Sequence, residues 1–490
     1  MNKAPALASR KRKSVGDSLD HCRASLASVD KIDFAVVFLI AAVAATILLP
    51  GLGRESLANW DEAIYGVIAR NLVSRPGLTL YYAGQPWFEK PPFVFWLMAA
   101  SSSLFGVTEF ALRLPVAFFG ISAIVLQYFA GRRLSGRLAG ILAAIFLLGV
   151  PQFVAYSRLA MMDVPLTALG MLSFVLLLHG DKQRLPVMLA GISFGLAILA
   201  KSAAAFLFVP GLVAIALASR GMRFFWSKEM LWAAALTLVI VLPWHLWTAL
   251  SYGPSFVGRY FFFHVVRRFG QPLEGHEGDF FYYFDLYLHN AGWLALVHAA
   301  GIALACAIAL RRPNARLAAL VTLPLGAFLI VSLQRTKIGW YLTPVYPGAA
   351  LAAAVALAHL VRNAGARIIA ILFATLLAVP GIVDGRGAFI ETYNILDFSP
   401  EVRSLRNTPL FVNRVPLLYV FDVADPAPRF YLADRVEIID EQGLERLVAN
   451  RQTFLCLTFK AQAGEFLNNH PDTNLKIVAT TDYLAVMAYR

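Results

Sequence analysis

Two runs decide how this chain is read: Asn59-Trp60-Asp61-Glu62-Ala63-Ile64-Tyr65 and Phe88-Glu89-Lys90-Pro91-Pro92. Both follow closely on the first long apolar segment, so their charges fall at a membrane surface. Asp61, Glu62, Glu89 and Lys90 lie within about thirty residues of one another, beside Trp60, Tyr65, Trp87 and Trp96. Ionisable groups at a membrane face are candidates for function before they are candidates for anything else.

Working outward, the chain is 490 residues long, 59% hydrophobic and only 15% charged, with its apolar residues in long blocks. That composition belongs to a polytopic α-helical membrane protein. The net charge of +13 comes from short basic clusters scattered between apolar blocks. This suits membrane topology rather than a stripe that tracks phosphates, so no nucleic-acid partner is expected. Cys22, Cys306 and Cys456 are too far apart to suggest a disulfide framework or a zinc site.

Segments of spanning length recur at 33–53, 112–131, 137–156, 164–179, 185–200, 203–219, 229–250, 289–310, 315–333, 343–361 and 366–383, which predicts about eleven transmembrane helices. Every second loop is basic: Arg132, Arg133 and Arg137; Lys182 and Arg184; Arg220, Arg223 and Lys228; Arg311, Arg312 and Arg316; Arg362 and Arg367. The positive-inside pattern then puts the N-terminus in the cytoplasm. The outer loops become 54–111, 157–163, 201–202, 251–288, 334–342 and everything after Asp384. The apolar run 93–105 is too short to span, and counting it would invert every later loop. It reads as an interfacial or re-entrant helix, with a second juxtamembrane helix over 62–73. Three regions follow: a cytoplasmic polar N-terminus (1–31), a membrane domain (32–384) with its first outer loop at 54–111, and an outer-face region (385–490). In the last, strands at 415–421, 436–439, 454–459 and 475–480 alternate with helices at 442–450 and 461–469, predicting a small α/β domain.

On this topology Asp61, Glu89, Lys90, Asp163, Lys201, His264 and Lys337 share one side of the membrane. Asp61 and Asp163 each sit where a span meets an outer loop. A carboxylate there can act as general base, hold a divalent cation or orient a sugar; equally, Asp163 can cap the helix that follows it. Lys90, Lys201, Arg267, Arg268, Arg335 and Lys337 break the rule that depletes positive charge on the outer side, and a phosphate would compensate them. Salt bridges to Glu62, Glu89 or Glu274, or snorkelling to headgroups, would do so as well. The run 259–270 interleaves aromatic and basic residues around His264 and is followed by a loop that reads as solvated. In 334–347, Lys337 and Tyr341 lie at the height of a lipid-linked phosphate, while Trp340 suits the interface.

These residues resemble the glycosyltransferase-C superfamily, in particular the bacterial family that includes aminoarabinose transferases and protein O-mannosyltransferases. The resemblance rests on Asp61-Glu62 after the first span, Phe88-Glu89-Lys90-Pro91-Pro92, Glu109-Phe110-Ala111-Leu112-Arg113-Leu114-Pro115, Asp163-Val164-Pro165-Leu166 and the Lys337–Pro347 loop. It implies inverting transfer of a sugar from a polyprenyl-phosphate donor to a hydroxyl of a lipid, glycan or protein, at the periplasmic face of the inner membrane. Asp61 would be the base, or the group that orients the acceptor, with Asp163 as its partner. Glu62, Glu89, Lys90, Lys201, His264, Arg268, Lys337 and Tyr341 would bind substrate, Lys90 and the later cations holding the donor phosphate. A divalent cation at Asp61 and Asp163 is compatible with this, and no other cofactor is implied. Two departures stand out: Ile64 replaces an arginine common in the family, and Lys201-Ser202 lacks the glycine-proline that usually follows this lysine. The alternatives are a transporter or flippase of a lipid-linked anion, which should show repeat symmetry that is absent here, and a non-catalytic subunit of a glycan-assembly complex.

Overall fold

A computed structural model describes residues 30–180, 183–311, 315–361, 363–387 and 398–489. The polar N-terminus before Asp30, with Cys22, and the loop residues Lys182, Arg312 and Arg362 lie outside the described residues.

The membrane portion is helical because backbone N–H and C=O groups must be satisfied within the chain where no water is available. Helix α1 (Lys31–Leu48) opens on a capping box between Asp30 and Asp33. After a turn come α2 (Asp61–Ser74), a short antiparallel hairpin of β1 (Leu80–Tyr82) and β2 (Gln85–Trp87), and α3 (Phe93–Phe105). The juxtamembrane helices expected in the first outer loop are thus α2 and α3. The hairpin between them has no apolar alternation long enough to have announced it. Helices α4 (Glu109–Ser135) and α5 (Arg137–Leu148) cross so closely that a Cβ on Gly140 would lie 2.5 Å from the Tyr128 carbonyl oxygen, the close approach that small residues permit between membrane helices. Beneath that crossing the buried Asp33 carboxylate gathers Tyr128 at 2.6 Å, Arg132 at 2.5 Å and Arg137 at 2.9 Å, bracing α1 to both.

The expected span at 137–156 is broken. Gly149 ends α5 and Pro151 begins the short α6 (Pro151–Tyr156), the placement at a first helical turn that proline favours. Next come α7 (Asp163–His179), α8 (Arg184–Lys201), a 3-10 turn (Ser202–Phe208) and α9 (Val209–Arg220). The chain reverses at Ser202, since Val187 near the start of α8 and Ala216 near the end of α9 pack in one cluster. The expected outer loop 251–288 is largely helical instead. Helix α10 (Lys228–Phe256), kinked at Gly253, runs into a π-helix (Val257–Arg267), and α11 (Tyr282–Ala291) follows. Trp244, Phe256 and Tyr260 pack together at the kink, while 271–281, where the solvated loop was expected, is non-helical and mostly exposed. Helices α12 (Leu294–Arg311), α13 (Ala315–Leu333), α14 (Tyr346–Leu360) and α15 (Ala364–Gly387) complete the bundle.

Six helices of the described residues are long and apolar enough to cross a membrane, or seven when the pair 282–291 and 294–310, bent by 116°, counts as one span. The count of eleven is not reached by this measure, because 137–148, 163–179 and 317–333 are shorter apolar helices and 184–218 is counted once despite its reversal.

After residue 397, α16 (Ser399–Leu405), β3 (Val415–Phe421), α17 (Pro426–Tyr431), β4 (Ala433–Ile439), α18 (Glu441–Ala449), β5 (Phe454–Phe459), α19 (Lys460–Asn469), β6 (Leu475–Thr480) and β7 (Leu484–Tyr489) follow in order. The strands form a mixed sheet in the order β4-β3-β5-β7-β6, with β3 parallel to β4 and β5, and β7 antiparallel to β5 and β6. Strand β7, not anticipated from sequence, is buried along its whole length and so lacks the alternation of a half-exposed strand. This region is anchored to the bundle. The Tyr431 hydroxyl donates to Glu109 at 2.9 Å and accepts from the Leu57 amide at 2.8 Å, while Arg70 donates to the carbonyls of Arg429 and Phe430.

Candidate active site

Asp61 and Asp163 are each the first residue of a helix, α2 and α7. In both cases the N-cap is the preceding residue, Trp60 or Met162, and neither helix has a side-chain cap. The capping role open to Asp163 is therefore not the one it fills. Its carboxylate is buried and accepts from the Lys201 ammonium at 2.5 Å, while its second oxygen has no partner. Lys201 ends α8, next to Ser202, whose φ of +54° lies in the region that favours glycine. Trp60, just before Asp61, has φ +68°. Backbone conformations of this kind persist where surrounding structure holds them, and they cluster at functional sites.

A cavity of about 510 Å³ opens beside this pair. Its polar lining consists of Glu89, Lys90, Asp163, Lys201, Ser202, His264, Arg268, Gln334 and Tyr341, and its apolar wall includes Leu166, Phe206, Val266 and Ile330. The elements that bring these together are the β2–α3 turn, the N-terminus of α7, the C-terminus of α8, the π-helix and the turn before α14. Asp61 is not part of the lining, but it is coupled electrostatically to Lys90, Lys201, Glu89 and Arg268. Burial pushes the Asp61 carboxyl above the ordinary carboxylate range, and Lys90 and Lys201 oppose that shift.

The charges are arranged unevenly. Glu89 accepts from Arg259 at 3.0 Å, with His264 Nε2 3.8 Å away. Neither ring nitrogen of the buried His264 has a hydrogen-bond partner. The Arg268 guanidinium reaches Glu274 at 2.6 Å and lies against the Tyr341 hydroxyl. Lys201 stands over the Tyr341 ring, 5.3 Å from its centroid. Asp61 and Lys90 make no hydrogen bond or ion pair among the described residues. The cavity thus offers an unpaired ammonium and a guanidinium–phenol pair, with the unpaired Asp61 carboxylate outside its lining but within electrostatic reach.

Two of the expected substrate-binding residues lie elsewhere. Glu62 is buried in a salt bridge to Arg113, a residue that sequence reasoning left without a role, and it also accepts from the backbone amides of Ala58 and Ala160. Lys337 is buried outside the cavity lining, donating to the Ser332 carbonyl at 2.7 Å beneath the Tyr283 ring. Burial lowers the pKa of this lysine, with Asp279 opposing. Arg259 was also missed; only its place in the aromatic and basic run hinted at it. Among the described residues no group of three or more His, Cys, Asp or Glu side chains is placed to hold a metal ion, so a cation shared by Asp61 and Asp163 would lack a third such protein ligand.

A family model described as dolichyl-phosphate-mannose-protein mannosyltransferase matches residues 89–247, which takes in Glu89, Lys90, Asp163 and Lys201. An uncharacterized protein of Aquifex aeolicus is 29% identical over 64% of this chain and 62% of its own length. An undecaprenyl phosphate-alpha-4-amino-4-deoxy-L-arabinose arabinosyl transferase of Pseudomonas savastanoi is 27% identical over 67% of this chain and 62% of its own. The chain thus spans less than two thirds of the length of these curated relatives. The fold is also that of ArnT from Cupriavidus metallidurans, crystallised with undecaprenyl phosphate: TM-score 0.76 at 21% identity, covering 93% of this chain and 98% of ArnT. Over the matched region the chain is thus similar to protein mannosyltransferases and to aminoarabinose transferases, and it shares the fold of ArnT.

Proposed function

We propose that this chain is an inverting glycosyltransferase that moves a sugar from a polyprenyl-phosphate donor to a hydroxyl acceptor at the outer face of the cytoplasmic membrane. The observation that carries the proposal is the single cavity in which Lys90, Lys201, Arg268 and Tyr341 face the same space as Asp163, with an apolar wall on one flank and Asp61 within electrostatic reach.

The chemistry follows from that arrangement. Asp61, ionised, takes the proton of the acceptor hydroxyl, and the hydroxyl oxygen attacks the anomeric carbon. The bond from that carbon to the phosphate oxygen breaks, and the negative charge gathering on the phosphate is met by Lys90 and Arg268 in a partly water-excluded space. Lys201 is committed to Asp163 and keeps that carboxylate charged and oriented beside the sugar. Leu166, Phe206 and Val266 offer the first isoprene units an apolar surface. Ile64 packs against the hydrophobic core, so the cation absent there is replaced in this scheme by Arg268.

The acceptor is a hydroxyl of a lipid, glycan or protein. The test is transfer of labelled sugar from a polyprenyl-phosphate donor by the purified protein, wild type against Asp61→Asn. Removing a general base predicts a loss of about a hundredfold or more. Equal transfer by the two proteins would remove Asp61 from the mechanism, and no transfer by the wild type to any hydroxyl acceptor would remove the mechanism itself.

A further inference from the structure

A second cavity of about 380 Å³ lies between α7, α8, α9 and α10. It is lined by Leu177, Val187, Ala190, Ala216, Met230 and Ala234 among others, at the end of these helices away from Lys201. No residue lines both cavities, and Phe194, the lining residue of α8 nearest Lys201, is seven residues or roughly 10 Å of helix from it, so this cavity is separate from the candidate active site. Its polar atoms are already satisfied: Ser173 donates to the Leu169 and Ala190 carbonyls, and Thr237 to those of Gly191 and Ala233. An occupant gains nothing there by being polar. Leu238, on its outer side, is 52% exposed, so the cavity opens sideways from the bundle as a groove.

The segment leading into α10 frames the mouth. Phe225 and Met230 line the groove, and between and beside them lie Arg223 and Lys228, both exposed and without a carboxylate partner among the described residues. Arg184, across the mouth on α8, is held by Glu229 at 3.0 Å. Trp226, 82% exposed, and Trp232, 60% exposed, flank the same turn, the placement of tryptophans at headgroup depth. Apolar groove, unpaired cations and aromatic anchors therefore occur in the order in which a phospholipid presents its chain, phosphate and interface.

We infer that this groove is a binding site for an anionic phospholipid of the surrounding membrane. One acyl chain lies between α9 and α10, over α8, and the headgroup phosphate sits at Arg223 and Lys228. The volume suits part of one chain, and two basic side chains at the surface give a preference for negative headgroups.

Native mass spectrometry of the full chain, titrated with phosphatidylglycerol or phosphatidylcholine of the same acyl chains, tests this. Retention of phosphatidylglycerol is expected to exceed that of phosphatidylcholine by roughly tenfold or more. The double variant Arg223→Gln/Lys228→Gln should lose that preference and keep the weaker, headgroup-blind binding. Ala234→Trp, which fills the exposed mouth, should lose the bound lipid of both kinds. Equal retention of the two lipids by the wild type overturns the inference, as does an unchanged preference in the double variant. Because both charged side chains are exposed, that variant decides the matter even where Ala234→Trp fails to fold.

Discussion

Arg113 holds Glu62 in a two-pronged grip, Nε to Oε1 at 2.9 Å and Nη2 to Oε2 at 2.7 Å, with both side chains almost wholly buried. The pair sits at a junction. Arg113 also donates to the carbonyls of Leu52, Glu55 and Ser56, and Glu62 accepts from the amides of Ala58 and Ala160. One ion pair therefore fixes the turn that carries Asp61 and the turn three residues before Asp163. Breaking a buried pair by removing one partner costs about 3–5 kcal/mol, so Glu62→Gln should lower the thermal midpoint of the purified protein markedly. Arg113→Lys should not restore it, because an ammonium cannot reproduce the fork. Differential scanning fluorimetry in detergent checks both, and a midpoint for Arg113→Lys within a degree of wild type would show that the grip matters little.

The Asp163–Lys201 pair predicts a different pattern. Lys201→Met leaves a carboxylate buried with no cation, and Asp163→Asn leaves the ammonium in the same position. Each should destabilise by roughly 3–5 kcal/mol, while the double variant should recover part of that loss, since replacing both charges costs far less than orphaning one. Sugar transfer should be low in all three. Additive midpoint losses in the double-mutant cycle would mean that the two side chains do not depend on each other.

Much of this arrangement was legible in order and charge alone. Alternating basic loops put Glu89, Lys90, Asp163, Lys201 and His264 on one side, and all five meet at one cavity. What could not be read is pairing at a distance. Glu62 reads as a substrate-binding carboxylate beside Asp61 until Arg113, fifty-one residues on, is seen to consume it. Lys337 stands in a loop of the right height, but a buried turn aims its ammonium at a carbonyl. The π-helix was hidden because the kink at Gly253 and Pro254 ends a recognisable span while the backbone continues helical. Strand β7 escaped because a fully buried strand carries no alternating pattern.

Burial raises the pKa of Asp61, and the sign of that shift sets two pH effects. As a general base it acts only when ionised, so transfer should fail on the acid side at a pH above the ordinary carboxylate range. Lys90 opposes the shift and Glu89 reinforces it. Lys90→Met should therefore move the acid limb of kcat/KM to higher pH and Glu89→Gln to lower pH, whatever happens to the maximal rate. The stability effect runs the other way from catalysis. The folded state holds this proton more tightly than the unfolded chain, so stability declines as pH rises between the two pKa values. At neutral pH Asp61→Asn should thus be at least as stable as wild type while losing transfer. A clear fall in its thermal midpoint would contradict the shift.

Ser202 stands where the resembling family carries glycine, and its φ of +54° gives that difference a physical meaning. A side chain held there costs on the order of 1–3 kcal/mol. The Ser202 side chain faces Tyr260, whose hydroxyl meets His245 Nε2 at 2.9 Å. Ser202→Ala keeps the backbone strain, so it should be close to wild type in stability. Ser202→Gly relieves the strain, so it should be more stable than the alanine variant by about 1 kcal/mol. Thermal midpoints of the two variants side by side test this. An alanine variant as stable as the glycine variant would mean that the turn from α8 into α9 is held by its packing rather than limited by its backbone. In that case the neighbouring Lys201 would owe its position to Asp163 alone.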